Sequence, residues 1–188
     1  MKKLFAAIAC VVALCAAGAA PAKTSVINFD DPGVIDIDNG TGIATYTESG
    51  FAFSGSAATF LPLGGSLLGG LDGTSLLSLE AVGGATFSLK SLDYAFFDLG
   101  FGTDPGTLSV IGLLNGVQVA SRSFALGDLS KASFGASFGK LTEVTFGSMT
   151  GFTLDNVKVA SPVPEPTSAA LLAVGLLGIA LRVRGVRR

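Results

Sequence analysis

The chain has 188 residues, with no histidine, no tryptophan and only two cysteines, and its formal net charge of −2 hides an asymmetry. Between Ser25 and Ala160, 13 acidic residues stand against 5 basic ones, because the chain's other cations gather near its ends. A segment of that sign repels nucleic acid and anionic surfaces and tolerates cations, and the missing histidine removes every histidine-based catalytic or metal site.

The first predicted element is MKKLFAAIACVVALCAAGAAPA, residues 1–22. It has two lysines, an apolar run from Leu4 to about Ala17, and an A-x-A-like site at Ala20-Pro21-Ala22. This order of charge, apolar run and small residues is that of a signal peptide, with cleavage expected after Ala22 and Ala19 as the other candidate. Cys10 and Cys15 both lie inside it, so the expected mature chain has no cysteine. Export permits disulfides, and this chain is expected to use none. A lipoprotein reading of Cys15 meets bulky Leu14 where a small residue is wanted.

From Ser25 to Ala160, about 136 residues and enough for one domain with a core, the expected elements are strands. TYTESGFAFSG, 45–55, alternates around Phe51 and Phe53. LPLGGSLLGGLDGTSLLSLE, 61–80, is apolar enough for a strand pair and glycine-rich enough for a long loop, and both readings stand. ATFSLKSLDYAFFDL, 85–99, sets Phe87, Leu89 and Leu92 inward. TLSVIGLLNGVQVASRSFAL, 107–126, reads as a hairpin about Asn115-Gly116. KLTEVTFGSM, 140–149, turns Leu141, Val144 and Phe146 to the core with a change of phase after Leu141. FTLDNVKV, 152–159, turns Phe152, Leu154, Val157 and Val159 inward, which requires a bulge at Asp155-Asn156.

Turn signals separate these runs: Asp31-Pro32-Gly33, Asn39-Gly40, Gly64-Gly65, Gly69-Gly70, Gly83-Gly84 and Asp104-Pro105-Gly106. Many short strands between regular turns predict an all-β fold, a single β-sandwich over 25–160. With 14 phenylalanines and two tyrosines, its core is expected to be mainly Phe and Leu.

The last element is SPVPEPTSAALLAVGLLGIALRVRGVRR, 161–188. Three prolines in the six residues Ser161–Pro166 forbid a continuing strand and make an extended spacer. Ala169–Leu181 is an unbroken run of 13 apolar or glycine residues, short of the roughly 20 a bilayer crossing wants, so snorkelling arginines must extend it. A transmembrane helix here would place Arg182, Arg184, Arg187 and Arg188 in the cytoplasm by the positive-inside rule, leaving the domain outside the inner membrane.

Pro164-Glu165-Pro166, a short spacer, an apolar helix and a terminal arginine cluster together resemble the PEP-CTERM sorting signal. The resemblance covers about 26 residues. It implies recognition by exosortase, a membrane-embedded cysteine protease, after signal peptidase and the export machinery have acted. It also implies a Gram-negative host with an exopolysaccharide-producing system. Asn28-Phe29-Asp30 and Phe152-Thr153-Leu154-Asp155-Asn156-Val157 resemble the ends of jelly-roll domains often attached to this signal, which are similar to carbohydrate-binding modules. A jelly roll is therefore the expected sandwich, with another β-sandwich as its competitor.

Little in the chain points to catalysis. Lys90 and Ser91 are adjacent on a strand and face opposite ways, and Asp93 and Asp98 stand at an odd separation, unsuited to a glycosidic carboxylate pair. Gly100-Phe101-Gly102-Thr103-Asp104-Pro105-Gly106 lacks the lysine and helix of a phosphate loop. Hard cations take carboxylates, so a structural calcium ion is the one cofactor considered, held by Asp30 and Asp155 where the first and last strands of a jelly roll meet. Asp31 adjoins that site, and Asp36 with Asp38 forms a second candidate. Tyr46 and Tyr94 are the only aromatics with a polar handle, read as sheet-edge anchors or as a sugar platform. The function expected is non-enzymatic: sorting to the envelope or exopolysaccharide matrix, with a structural or adhesive role. The alternatives are a calcium-stabilised carbohydrate-binding module and, less favoured, a glycan-active hydrolase.

Overall fold

Short runs that alternate apolar and polar residues can bury one face only by lying against another such face. In the computed structural model, which describes residues 23–30, 34–62, 64–70, 76–98 and 105–161, these runs pair into two antiparallel sheets. The strands are β1 (Lys23–Ile27), β2 (Val34–Asp38), β3 (Ile43–Glu48), β4 (Phe51–Ser56), β5 (Leu61–Pro62), β6 (Leu67–Gly69) and β7 (Leu77–Ala81). They continue as β8 (Ser88–Phe96), β9 (Thr107–Leu114), β10 (Val117–Ala125), β11 (Ser130–Ser133), β12 (Glu143–Gly147) and β13 (Phe152–Ser161). The unit they form, Lys23–Ser161, carries its own core.

One sheet has the order β10-β9-β12-β7-β4-β3-β2. The other runs β11-β8-β13-β6-β5, with β1 also on β13. Along one edge of β13, β6 pairs with Phe152–Leu154 and β1 with Val157–Ser161, while β8 occupies the opposite edge. First and last strands are therefore neighbours, Lys23 opposite Ser161. Two antiparallel sheets closed in this way are consistent with a jelly roll.

The expected core is the observed one. Phe51, Phe53, Phe87, Leu89, Leu92, Leu141, Val144, Phe146, Phe152, Leu154, Val157 and Val159 are all buried. Rings join the two layers, as where Phe51 of β4 meets Phe87 beside β8 at 5.4 Å. Fully burying one such side chain is worth about 1.5–3 kcal/mol, so this set dominates the stability of the unit. Arg122 of β10 lies over the Phe124 ring at 5.4 Å, and its Nη1 donates to the Ser133 carbonyl of β11 at 3.0 Å. It thus ties the edge of one sheet to the edge of the other.

The turn at Asn115-Gly116 has both residues at positive φ, +52° and +77°, as a two-residue hairpin requires. A second such hairpin, with Ser49 at +54° and Gly50 at +81°, folds the 45–55 stretch into β3 and β4, which its alternation around Phe51 and Phe53 did not reveal. Within the stretch 61–80 the described residues form β5, β6 and most of β7, with a bend at Gly64-Gly65, so the strand reading holds for them, while residues 63 and 71–75 lie outside the described residues. Gly69 and Gly70 lie against the Phe152 ring, where an added Cβ would stand 2.9 Å from ring carbons. Glycine there is a packing requirement of β13. Strand β11 was not foreseen, because in Ser-Lys-Ala-Ser only Ala132 is buried and no apolar alternation marks it.

Candidate functional site

The stretch after β1 is set by one residue in an uncommon conformation. Phe29 has φ +55°, rare for a bulky side chain. Two contacts hold it there. Its ring packs on Tyr46 at 5.4 Å and Phe53 at 5.2 Å, and the Glu48 carboxylate accepts from the backbone N–H of Asn28 at 3.4 Å and of Phe29 at 3.2 Å. The Tyr46 hydroxyl also donates to Glu48, at 2.8 Å. Burying Phe29 leaves its neighbour Asp30 exposed, where it accepts from Asn28 Nδ2 at 2.6 Å.

The expected bulge in β13 is present. Register with β8 shifts after Asp155, and Asn156 takes φ +48°. Asp155 lies opposite Asp93 of β8, and the Asn156 amide bridges the two carboxylates, donating to Asp93 Oδ2 at 3.1 Å and to Asp155 Oδ2 at 3.0 Å. Asp93 Oδ1, shielded from water, accepts no hydrogen bond among the described residues and faces Lys131 Nζ at 3.6 Å. Partial burial pushes the Asp155 carboxyl above its ordinary value. The Asn156 N–H opposes this, and the charges of Asp93 and Asp30 add to it. The fold thus brings Asp155 into the electrostatic field of Asp30, and adds Asp93 and Asn156 to them. Among the described residues no three His, Cys, Asp or Glu side chains are grouped to hold a metal ion.

Other candidates separate. Asp36 and Asp38 are exposed on β2, but both oxygens of Asp38 are engaged by its turn, accepting from Gly40 N and Thr41 Oγ1 at 2.8 Å. The Thr41 hydroxyl, then the Gly40 N–H, hold its carboxyl below the ordinary range. Tyr46 and Tyr94 lie one strand in from a sheet edge, and both are buried, at 1% and 7% exposure, so neither offers a face for a sugar to stack on. Lys90 is exposed while Ser91 is buried, which separates that pair. Asp93 is committed to β13, and Asp98 follows the end of β8. Asp31 and most of the 100–106 loop lie outside the described residues.

Glu80 of β7 and Glu143 of β12 escaped sequence reading. They are direct cross-strand partners on the outer face of the seven-stranded sheet. Burial, and secondarily the charge of Glu80, push the Glu143 carboxyl up. Only the pairing of β7 with β12 could reveal this, since 63 positions separate the two residues in the chain.

Residues 162–188 match the PEP-CTERM protein-sorting motif. The match includes Pro164, Glu165, Pro166 and the arginines Arg182, Arg184, Arg187 and Arg188. The PEP-CTERM segment and the expected signal peptide lie outside the described residues, and no described helix is long and apolar enough to cross a membrane. No curated protein matches the chain. Among solved structures, a family 29 carbohydrate-binding module in complex with cellulohexaose is similar at 14% identity and a TM-score of 0.49, over 77% of this chain and 94% of that one. The lectin binding domain of Lectinolysin complexed with Lewis b is similar at 14% identity and a TM-score of 0.40, over 76% of this chain and 100% of the other. Likenesses at that level carry neither ligand nor site to this chain.

Proposed function

We propose that this is a non-enzymatic exported protein whose C-terminal signal sorts it to the cell envelope or exopolysaccharide matrix of a Gram-negative bacterium. There the β-sandwich serves a structural or adhesive role. The observation that carries the reading is the PEP-CTERM match over residues 162–188. Its partners in sorting would be signal peptidase, the export machinery, the inner membrane and exosortase, with exopolysaccharide as a neighbour at the destination. Glu165 is the only charged residue between Ala160 and Arg182, an isolated carboxylate between two prolines well suited to being read by a protease. A plain anchor needs the apolar run and the arginines and has no use for the tripeptide. Replacing Pro164, Glu165 and Pro166 with alanine is therefore expected to leave the protein exported but unsorted and full-length. Intact-mass measurement in a host with its exosortase reports this directly. Wild type retaining Arg188, or a triple mutant processed like wild type, reduces the tail to an anchor.

A second reading, a calcium-stabilised carbohydrate-binding module, draws on the field around Asp155. Asp93 and Asp30 both disfavour its ionised form, a strain that a cation at Asp30 and Asp155 would relieve. Against the sugar half of this reading stand the burial of Tyr46 and Tyr94 and the lack of tryptophan. A ligand of the folded state alone raises the melting temperature by linkage. Melting with calcium and with chelator therefore tests the ion, and an unchanged midpoint removes it. A screen against host exopolysaccharide tests the sugar.

A further inference from the structure

The sorting reading attaches the precursor to the inner membrane through its signal peptide and its tail, and both adjoin the fold at one end. Strand β13 finishes at Ser161, where the tail begins, and Lys23, the residue after the expected cleavage site, stands directly opposite it. Hydrogen bonds gather four turns at this end. Ala160 pairs with Ser88, whose hydroxyl donates to the Gly139 carbonyl at 2.6 Å. Thr142 Oγ1 accepts from the Asn115 N–H at 2.8 Å, and the Val82 N–H donates to the Gly50 carbonyl at 2.9 Å. Glu143, next to Thr142, is opposite Glu80, which brings 82–84 alongside 139–142. The turns 49–50, 82–84, 115–116 and 139–142 therefore share the end from which the tail departs. None of them carries a carboxylate, and their one cation is the exposed Lys140. The nearest acids, Glu48, Glu80 and Glu143, belong to strands, whereas Asp38, Asp98 and Asp128 adjoin loops at the opposite end. Turns without carboxylates meet a low-dielectric layer with no acid to desolvate. Nothing lies within 4 Å of where a Cβ would stand at Gly50, Gly83, Gly84 or Gly116, so this end is low in relief. Val82 and Val117 are its exposed large apolar side chains, at 59% and 66%.

Chain length sets how far this end can stand from the bilayer. A helix over Ala169–Leu181 rises about 20 Å, against a hydrocarbon layer of about 30 Å. Snorkelling of Arg182 makes up part of the shortfall, and the residues just before Ala169 must make up the rest. Pro164-Glu165-Pro166 is thereby drawn to the outer headgroup layer. Three residues of polyproline-like chain, about 9 Å, then separate Pro164 from Ser161. We propose that the Ser161 end of the sandwich is a membrane-contact surface, held against the outer phospholipid headgroup layer by this short spacer and seated there through Val82 and Val117. Two exposed valines hold a bilayer too weakly to bind it from free solution, since such binding scales with buried apolar area. A short tether presents them at an effective concentration on the order of millimolar or higher, which populates the same contact. The proposal rests on the sorting reading for its anchor, and it adds the partner of the folded unit during sorting, the lipid surface itself. Cutting the tail removes the tether, and the contact is lost with it.

The test uses the chain from Lys23 to Arg188 in phosphatidylcholine vesicles that include a lipid with a nitroxide on its headgroup. Residues 23–188 contain no cysteine, so one introduced cysteine carries a fluorophore at a single place. Val82→Cys and Val117→Cys report on the Ser161 end. Met149→Cys is the control, exposed on the loop just before β13 begins. Labels at 82 and 117 are expected to be quenched about threefold more than the label at 149, because the tether keeps their end docked. Inserting about twelve Gly and Ser residues between Ser161 and Pro162 adds roughly 20 Å of reach and is expected to remove about half of that quenching or more. Hydrogen exchange reads the same contact without any label. In vesicles, the wild-type turns 49–50, 82–84 and 139–142 are expected to exchange more slowly than in the lengthened chain, and Val82→Ser with Val117→Ser to lose that protection. Equal quenching at all three positions, or quenching at 82 and 117 that the insertion leaves unchanged, overturns the proposal. So does protection seen only in host membranes that contain the exosortase, which would make the protease the partner. A chain that fails to float with the vesicles overturns it as well, by removing the anchor. Replacing Pro164, Glu165 and Pro166 with alanine is expected to leave the quenching in place while intact mass in the host shows sorting lost, so the two readings fail separately.

Discussion

Phe29 and Asn156 stand near the two ends of the folded unit, each beside one of the acidic residues Asp30 and Asp155, and both hold positive φ. They maintain that conformation by opposite means. Phe29 is 2% exposed, and its backbone is held from outside by the Glu48 carboxylate and by its ring's place between Tyr46 and Phe53. Asn156 is exposed and holds itself, its own side chain bridging Asp93 and Asp155. Asparagine adopts the left-handed region at modest cost, whereas a bulky residue does so only when its surroundings over-determine it. The difference teaches that the conformation beside Asp30 is a property of the core, while that beside Asp155 is local.

The largest effect expected from this contrast is at Phe29. Phe29→Ala is expected to destabilise the unit by about 3–5 kcal/mol in denaturant unfolding. Phe29→Gly, although it removes still more side chain, is expected to be about 1 kcal/mol more stable than the alanine variant, because glycine meets positive φ without strain. The reverse order would mean that strain at this site is negligible. Next in size is Glu48→Ala, which withdraws the acceptor from two backbone N–H groups and from one bond of the Tyr46 hydroxyl. It is expected to cost about 2 kcal/mol in the same measurement.

At the other end, Asn156→Ala is expected to cost about 1 kcal/mol and Asn156→Gly no more than about half of that, because only the alanine is strained there. A loss as large as that of Phe29→Ala would erase the contrast. The smallest effect is at Asp155. Its folded-state carboxyl is raised above the ordinary value of 3.8, so the folded protein binds this proton more tightly than the unfolded chain. The ionised form therefore subtracts stability above the raised value, and that loss disappears as pH falls below 3.8. Asp155→Asn is expected to stabilise by no more than about 0.5 kcal/mol near neutral pH, solvent screening most of the effect. Thermal melts from pH 7 downward should show the gap between variant and wild type closing. A gap that widens on acidification would reverse the sign assigned to Asp155.

Much of this fold is legible residue by residue. Period-two alternation marked the inward faces of Phe51–Phe53, Val144–Phe146 and Phe152–Val159, and the break in alternation at Asp155-Asn156 announced a bulge, because a strand cannot turn Leu154 and Val157 to one side without an extra residue. Asn115-Gly116 announced a hairpin. The Ser49-Gly50 hairpin shows only as a change of inward side, from even positions at Ala44 and Tyr46 to odd ones at Phe51 and Phe53, and Ser-Gly is a weaker hairpin signal than Asn-Gly. The reading that set Asp30 with Asp155 rested on first and last strands adjoining in a jelly roll, and β1 does lie beside β13. The place of Asp93 was not legible, since it meets Asp155 only through the register of β8 on β13.

The amino-acid sequence by itself determined the strand-forming runs, their inward sides, the chemistry absent from the chain and the sorting motif at 162–188. All of these are local properties, written in residue type and short spacing. Tertiary structure alone decided which strands adjoin, and so which distant side chains share a face. It buried Tyr46 and Tyr94, set Glu80 against Glu143, and put Asp93 beside Asp155. Side-chain period says which way a residue points within its strand, but pairing between strands depends on the free energy of the whole core, and no single stretch of sequence contains that.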